Sequence, residues 1–114
     1  MKIVHKEVLH IICVDSYELE IMRKWIDLAK DKLEGQDKEF SLIVQSDIDR
    51  LISIKEDDYL SEYPTLFKEK ELKLLLSCVE IIFRDNLVDK STDFDFIFES
   101  SNMKSAITYA IKKE

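Results

Sequence analysis

Apolar residues recur at helical spacing in some stretches of the chain and at consecutive or alternate positions in others. The run from Val8 to Val14 is largely apolar and β-branched, which is typical of a strand buried on both faces at the centre of a sheet. Asp15 and Glu18 follow with the spacing of a capping box, which predicts the start of a helix. The apolar stripe of this helix consists of Leu19, Met22, Ile26, Ala29 and Leu33.

The middle of the chain is predicted to turn and then form a second strand. The first helix is expected to end near Gly35, the only glycine in the chain, because glycine readily adopts the left-handed backbone that terminates helices. Alternating apolar and more polar positions over 40–45 predict a strand with one buried face. The next segment has two interpretations that both stay open, a short helix over 46–52 or a hairpin strand over 51–54.

The second half of the chain predicts a long helix, a strand and a last helix. Pro64 prevents a helix from extending through it, so the long helix is predicted from Thr65 to Arg84, with a wide apolar face. Three phenylalanines alternate with other residues over 93–99, which predicts an amphipathic strand. Ser100 or Ser101 is then expected to cap the last helix.

These elements predict an α/β or α+β sandwich in the order β-α-β-(short helix or strand)-α-β-α. A small sheet of three or four strands would be packed by three main helices. The chain has 114 residues, of which 46% are hydrophobic, and this length and composition suit one globular domain spanning residues 1–114.

Composition and charge argue against several kinds of protein. No stretch of 18 consecutive apolar residues occurs, which argues against a transmembrane helix and a membrane partner. The first residues lack the apolar region and cleavage site of a signal peptide, so a cytoplasmic location is expected. The net charge of −7, with no cluster of basic residues, disfavours binding to nucleic acid.

The sequence also lacks the motifs of common catalytic and cofactor sites. A single glycine leaves no loop for binding dinucleotides or phosphates, and no Cys-x-x-Cys or His-Glu-x-x-His pattern occurs. Cys13 and Cys78 lie in apolar runs and are expected to be reduced and buried. His10 lies in the predicted core strand, where a structural role is more common than a catalytic role with Cys13 or Ser16. We therefore expect a protein without catalytic residues, metal or cofactor, and not an enzyme.

Negative charge is concentrated in two segments. Residues 47–62 contain six acidic and two basic side chains, and residues 85–99 contain five acidic side chains and one lysine. A surface of this kind steers and binds basic partners, although acidic loops also serve simply to keep a protein solvated. The predicted partner-binding residues are Asp47, Asp49, Glu56, Asp57, Asp58, Tyr59, Glu62, Tyr63, Asp89, Asp93 and Asp95.

Two functional hypotheses follow from these features. The first is a stoichiometric inhibitor of the immunity-protein or antitoxin type, as in toxin–antitoxin pairs, whose two acidic segments form one face that blocks a basic partner such as a nuclease toxin. The second is a structural or regulatory subunit that forms homodimers or larger assemblies through the apolar face of helix 65–84. The second hypothesis expects Leu74 and Ile81 to be exposed in the monomer.

Overall fold

Strand β1 (Leu9–Val14) is followed by helix α1 (Ser16–Ala29), a 3₁₀ turn (Lys30–Lys32) and helix α2 (Gly35–Ile54) in the computed structural model. Strand β2 (Tyr63–Lys68) then leads into helix α3 (Glu69–Arg84), and helix α4 (Phe94–Lys112) comes last. The structure describes residues 8–54, 63–89, 91 and 93–112. Over these residues the architecture is α+β, with four helices and a two-stranded antiparallel sheet.

The sheet is smaller than the sequence pattern predicts. Residues 40–45 lie within α2 and residues 94–99 lie within α4, so both predicted strands are wrong. The hairpin strand over 51–54 is wrong as well, because α2 continues to Ile54. The predicted short helix over 46–52 is likewise part of this longer helix. In the described part of the chain the order is therefore β-α-α-β-α-α.

The long helix of the second half begins later than predicted. Thr65 lies in β2, and α3 starts at Glu69, where the backbone N–H of Lys68 donates to Glu71 Oε1 at 2.7 Å. This contact satisfies a backbone donor at the end of the strand, as a capping residue does. The predicted end of the helix at Arg84 is confirmed.

The sheet has one buried and one exposed face. Strands β1 and β2 pair antiparallel, with Leu9 opposite Lys68 and Ile11 opposite Leu66. Successive side chains of a strand point to opposite faces. The face against the helices carries His10, Val14, Thr65 and Phe67, all buried. The strand over 8–14 is thus confirmed, but its predicted central position, buried on both faces, is wrong.

The core lies between the helices and the inner face of the sheet. Helix α1 packs against α2 and α3, and α3 also packs against α4. The indole of Trp25 is fully buried and its Nε1–H donates to Ser100 Oγ of α4 at 2.8 Å. The predicted stripe of α1 is buried in full, from Leu19 to Leu33. The other fully buried large side chains include Val44, Ile48, Leu72, Leu75, Cys78, Val79 and Ile82.

The turn around Gly35 matches the prediction in conformation but not in position. Gly35 has a φ of +59°, the left-handed backbone that glycine adopts without strain. However, α1 already ends at Ala29, and Gly35 is the first residue of α2. Its left-handed conformation therefore helps to redirect the chain between α1 and α2.

The capping box at the start of α1 is confirmed and gives a testable stability effect. The backbone N–H of Glu18 donates to Asp15 Oδ1 at 2.7 Å, and the N–H of Asp15 donates to Glu18 Oε1 at 3.0 Å. Asp15→Ala should lower the free energy of unfolding by about 1 kcal/mol, measured by urea denaturation. The matched control is Asp31→Ala on the exposed 3₁₀ turn, which should change it by less than about 0.5 kcal/mol. Equal effects of the two variants would contradict the role of the cap.

Candidate interaction surface

The exposed face of the sheet is apolar except for Lys68, which lies opposite Leu9 at its end. We call the apolar part the outer sheet face, and it consists of Leu9, Ile11, Cys13, Pro64 and Leu66. Ile11 is 73% exposed and the opposite Leu66 is 59% exposed. Contiguous exposed apolar residues on a protein surface mark sites of interaction more often than isolated ones do. The outer sheet face is therefore the strongest candidate for a contact surface among the described residues.

A groove of about 320 Å³ adjoins the outer sheet face, between the sheet and α2. Leu9, Leu51 and Leu66 contribute apolar surface to it, and its charged lining consists of two acidic and two basic residues, Asp47, Glu71, Arg50 and Lys68. Asp47 Oδ1 lies 3.8 Å from a guanidinium nitrogen of Arg50, one turn away on α2. One of the predicted partner-binding carboxylates, Asp47, thus borders the apolar face.

Asp49, another predicted partner-binding residue, is engaged within the protein. Its carboxylate accepts a hydrogen bond from Nε of Arg23 on α1. Arg23 also lies 3.4 Å from the carboxylate of Asp27. Asp49 therefore helps to join α2 to α1, and part of its negative charge is balanced inside the protein.

Two predicted acidic side chains, those of Asp89 and Asp95, support the start of α4, and a third residue, Asp93, does so only through its backbone. Asp89 Oδ1 accepts hydrogen bonds from the N–H of Ser91 at 2.9 Å and from its hydroxyl at 2.7 Å. The backbone N–H of Asp93 donates to the carbonyl of Asp89 at 2.9 Å. Asp95 lies in the first turn of α4, where carboxylates stabilise a helix through its dipole. These residues thus have a structural role in addition to any contact with a partner.

The structure does not bring the described acidic residues into one face. Arg23 and Trp25 project in nearly opposite directions from α1, because an α-helix turns about 100° per residue and they are two residues apart. Arg23 contacts Asp49 of α2, whereas Trp25 contacts Ser100 of α4. Helices α2 and α4, which carry the two acidic groups, therefore lie on different sides of α1.

The remaining predicted contact residues belong to the segment between α2 and β2. Tyr63 is the first residue of β2 and pairs with Val14. The helix before this segment ends at Ile54, so the segment joins α2 to one strand of the sheet. The others, Glu56, Asp57, Asp58, Tyr59 and Glu62, lie outside the described residues.

The two cysteines have contrasting environments. Cys13 is exposed on the outer sheet face, so the prediction that it is buried was wrong. Cys78 is buried in the core as predicted, and burial raises the pKa of its thiol to about 12. A thiol with so high a pKa has little nucleophilic thiolate at neutral pH.

His10 does not form a catalytic pair with Cys13, because His10 lies on the inner face of β1 and Cys13 on the outer face. Its Nε2 lies 3.5 Å from Glu69 Oε1 at the start of α3. Among the described residues, no group of three or more His, Cys, Asp or Glu side chains is close enough to hold a metal ion together.

The helix face suggested for self-assembly is occupied by the core. Leu74 is only 5% exposed, and Ile81 is half-buried against the core. The expected exposure of these two residues is therefore wrong, because the wide apolar face of α3 contacts several neighbouring elements of the same chain.

Comparison with known proteins adds no family to this description. No protein-family model matches the chain, and no solved structure matches it. None of the helices in the described ranges is long and apolar enough to cross a membrane. The outer sheet face and the carboxylates near it are thus the features from which a function can be inferred.

Proposed function

We propose that this chain is a non-enzymatic protein-binding protein, a stoichiometric inhibitor of the immunity-protein or antitoxin kind that covers a basic partner such as a nuclease toxin. One observation carries the proposal: an exposed apolar sheet face borders carboxylates. Asp47 lies in the adjoining groove, and the acidic segment 56–62 connects directly to β2.

The apolar and acidic parts of this surface would contribute differently to binding. Burying a large aliphatic side chain such as Ile11 or Leu66 contributes about 1.5–3 kcal/mol, which makes the outer sheet face the source of affinity. Carboxylates at the edge of an interface chiefly raise the association rate and select for basic partners. This division resembles the apolar centre and polar rim of protein interfaces in general.

The proposal assigns different weights to the predicted acidic residues. Asp47 and the acidic residues of the segment 56–62 are expected to contribute most, because Asp47 lies in the groove beside the sheet and the segment directly precedes β2 in the chain. Asp49, Asp89 and Asp95 are expected to contribute less, because Asp49 is hydrogen-bonded to Arg23 of another helix, and Asp89 and Asp95 support the start of α4. Reversing the charge of Asp95 to lysine would also weaken α4 by about 0.3–1 kcal/mol. A loss of binding by this variant would therefore not distinguish a lost contact from a weakened helix.

The test begins with affinity capture of the partner from a lysate of the source organism, followed by kinetics with the purified pair. Ile11→Ser with Leu66→Ser should weaken the 1:1 complex by about 100-fold, mainly through faster dissociation. Asp57→Lys with Asp58→Lys should slow association at least tenfold at low salt and change little at high salt. The matched control is Leu42→Ser with Ile43→Ser, two exposed apolar residues of α2, which should leave affinity within twofold.

Two results would contradict the proposal. One is a partner that is bound equally well by the wild type and by both sets of variants. The other is the absence of any basic protein at stoichiometric amounts in the capture. A second candidate, a structural or regulatory subunit, is favoured instead if the chain alone sediments as a dimer and Ile11→Ser with Leu66→Ser converts it to a monomer.

A further inference from the structure

Strand β1 has a backbone edge that is not paired with another strand among the residues the structure describes. The N–H of Glu69 donates to the carbonyl of Val8 at 2.8 Å, which continues the ladder one position beyond the sheet. In antiparallel pairs, opposite residues alternate between hydrogen-bonded and non-hydrogen-bonded positions. The backbone groups of Leu9, Ile11 and Cys13 consequently point away from β2, and they have no backbone partner among the described residues.

The two edges of this sheet differ in their protection against pairing. The same alternation directs the backbone of Pro64 and Lys68 to the outer edge of β2. Proline has no N–H to donate, and lysine on an edge strand disfavours the approach of another strand. The edge of β1 carries neither a proline nor a charged residue. It is therefore the edge that is chemically suited to accept a further strand.

An apolar groove of about 240 Å³ lies beside the edge of β1. Sites for drug-sized molecules start at about 300 Å³, so this groove is sized for a single side chain. Its apolar walls include Ile12, Met103 and Ile107, and its rim includes the carboxylates of Glu18 and Glu99. Glu18 already serves the capping box of α1, which leaves Glu99 as the principal charged group for a ligand.

We propose that the free edge of β1 accepts an extended segment of the basic partner, which adds to the sheet as a third strand. A lysine or arginine of this segment would place its aliphatic part against Met103 and Ile107 and its cationic group beside Glu99. Backbone hydrogen bonds would give affinity, and the groove would give selectivity. The inference rests on the proposed function, because it names the partner contact made by the same sheet.

A second copy of this chain would match the edge less well. Its own β1 could pair with the edge, but the segment Leu9–Val14 contains no lysine or arginine to place beside Glu99. Charge complementarity therefore favours a basic partner over self-pairing.

The test uses a ten-residue peptide that alternates threonine and arginine, with an alternating threonine–glutamate peptide as the reference. Amide resonances of the ¹⁵N-labelled full chain are followed by NMR during titration. Shifts should concentrate at Leu9, Ile11, Cys13 and Glu99, and the glutamate peptide should bind at least tenfold more weakly.

One pair of variants isolates the edge. Ile11→Pro removes an outward N–H without removing a hydrogen bond to β2, and should weaken binding of the arginine peptide at least tenfold. Leu66→Pro makes the same change at the outer edge of β2 and alters the same outer sheet face, so it should weaken binding of the peptide at least threefold less than Ile11→Pro does. Circular dichroism checks that both variants fold. If Ile11→Pro is unfolded, Glu99→Lys should weaken binding at least fivefold, with Glu80→Lys, exposed on α3, as its control.

Several outcomes would overturn the inference. The first is that the peptide changes the amide chemical shifts of α2 only, and the second is that the two proline variants lose equal affinity for the peptide. The third is that the amide shifts of β1 change with protein concentration alone, which would show a second copy of the chain at the edge. Its failure is distinguishable from that of the proposed function. A captured basic partner that binds Ile11→Pro and Leu66→Pro equally well, and both more weakly than the wild type, removes only the edge contact, because both variants alter the outer sheet face. If the arginine peptide binds at the edge but no partner is captured, the edge contact is supported and the proposed inhibitor function is contradicted.

Discussion

Replacing Trp25 with alanine is expected to lower the free energy of unfolding by about 3–5 kcal/mol. The indole is 0% exposed, lies on α1 at the centre of the core and contacts α4 through Ser100. Truncation removes its apolar contacts, leaves a cavity and deprives the buried hydroxyl of a donor. Since single domains are stable by only about 5–15 kcal/mol, this loss is a large fraction of the total stability.

Urea denaturation followed by circular dichroism measures this effect, with Tyr109→Ala as the control. Tyr109 is also an aromatic residue of a helix, but it is 67% exposed, so its truncation should cost less than about 0.5 kcal/mol. Trp25→Phe and Ser100→Ala then separate packing from the hydrogen bond. Each leaves a buried polar group unpaired, and the double variant should be more stable than additivity predicts, by about 0.5–3 kcal/mol. Additive losses would contradict a coupled pair.

The second large expected effect is a difference in thiol reactivity. Cys13 is exposed on the outer sheet face, whereas burial raises the pKa of Cys78 to about 12. At pH 8 such a pKa leaves about 10³-fold less thiolate than an unperturbed cysteine has. In the native protein, one thiol should therefore react rapidly with Ellman's reagent, and the second at least about 10³-fold more slowly.

Comparison of Cys13→Ser and Cys78→Ser with the wild type assigns the two phases. Only Cys13→Ser should lose the fast phase, and 6 M guanidinium should make both thiols reactive. The raised pKa also predicts the pH dependence of stability. The unfolded thiol ionises before the folded one as pH rises, so the contribution of Cys78 is full below pH 9 and declines between pH 9 and 12. Rapid modification of two thiols in the native wild type would show that Cys78 is not held in the core.

The two strands that the sequence wrongly predicts have a common physical cause. In α2 the buried positions are Ser41, Val44 and Ile48, and in α4 they include Phe96, Ser100 and Met103. Both helical stripes contain a serine that is 0% exposed. Both hydroxyls are hydrogen-bonded: that of Ser41 donates to the carbonyl of Lys38 in the same helix, and that of Ser100 accepts from the indole of Trp25. A polar residue at a core position interrupts the helical period, and the neighbouring apolar residues then suggest a period of two.

The first helix was predictable because its signals agree. Its capping box, continuous apolar stripe and polar opposite face all indicate the same element. Strand β2 was missed because Tyr63–Lys68 is short and contains a proline. That proline is tolerated because it lies at the outer edge, and position within a sheet depends on tertiary pairing that a sequence does not specify.

The candidate surface was only partly predictable. Charge clustering pointed to the acidic segments, but it could not show that α1 separates the groups on α2 and α4. The apolar run of β1 is the stronger signal, but such a run predicts burial within the domain. A strand that is apolar on both faces is equally compatible with one face packed on the helices and one face open to a partner, as the exposure of Ile11 shows.

The pairing of β1 with β2 also sets an order of events during synthesis. Val14 pairs with Tyr63, which is 49 positions later in the chain. At translation rates of about 5–20 residues per second, roughly 2–10 s pass between the synthesis of these two residues. The segment Leu9–Val14 contains no lysine, arginine, aspartate or glutamate, a composition that promotes aggregation of unpaired strands. The nascent chain therefore carries an aggregation-prone strand without its β2 partner until Tyr63–Lys68 has been synthesised.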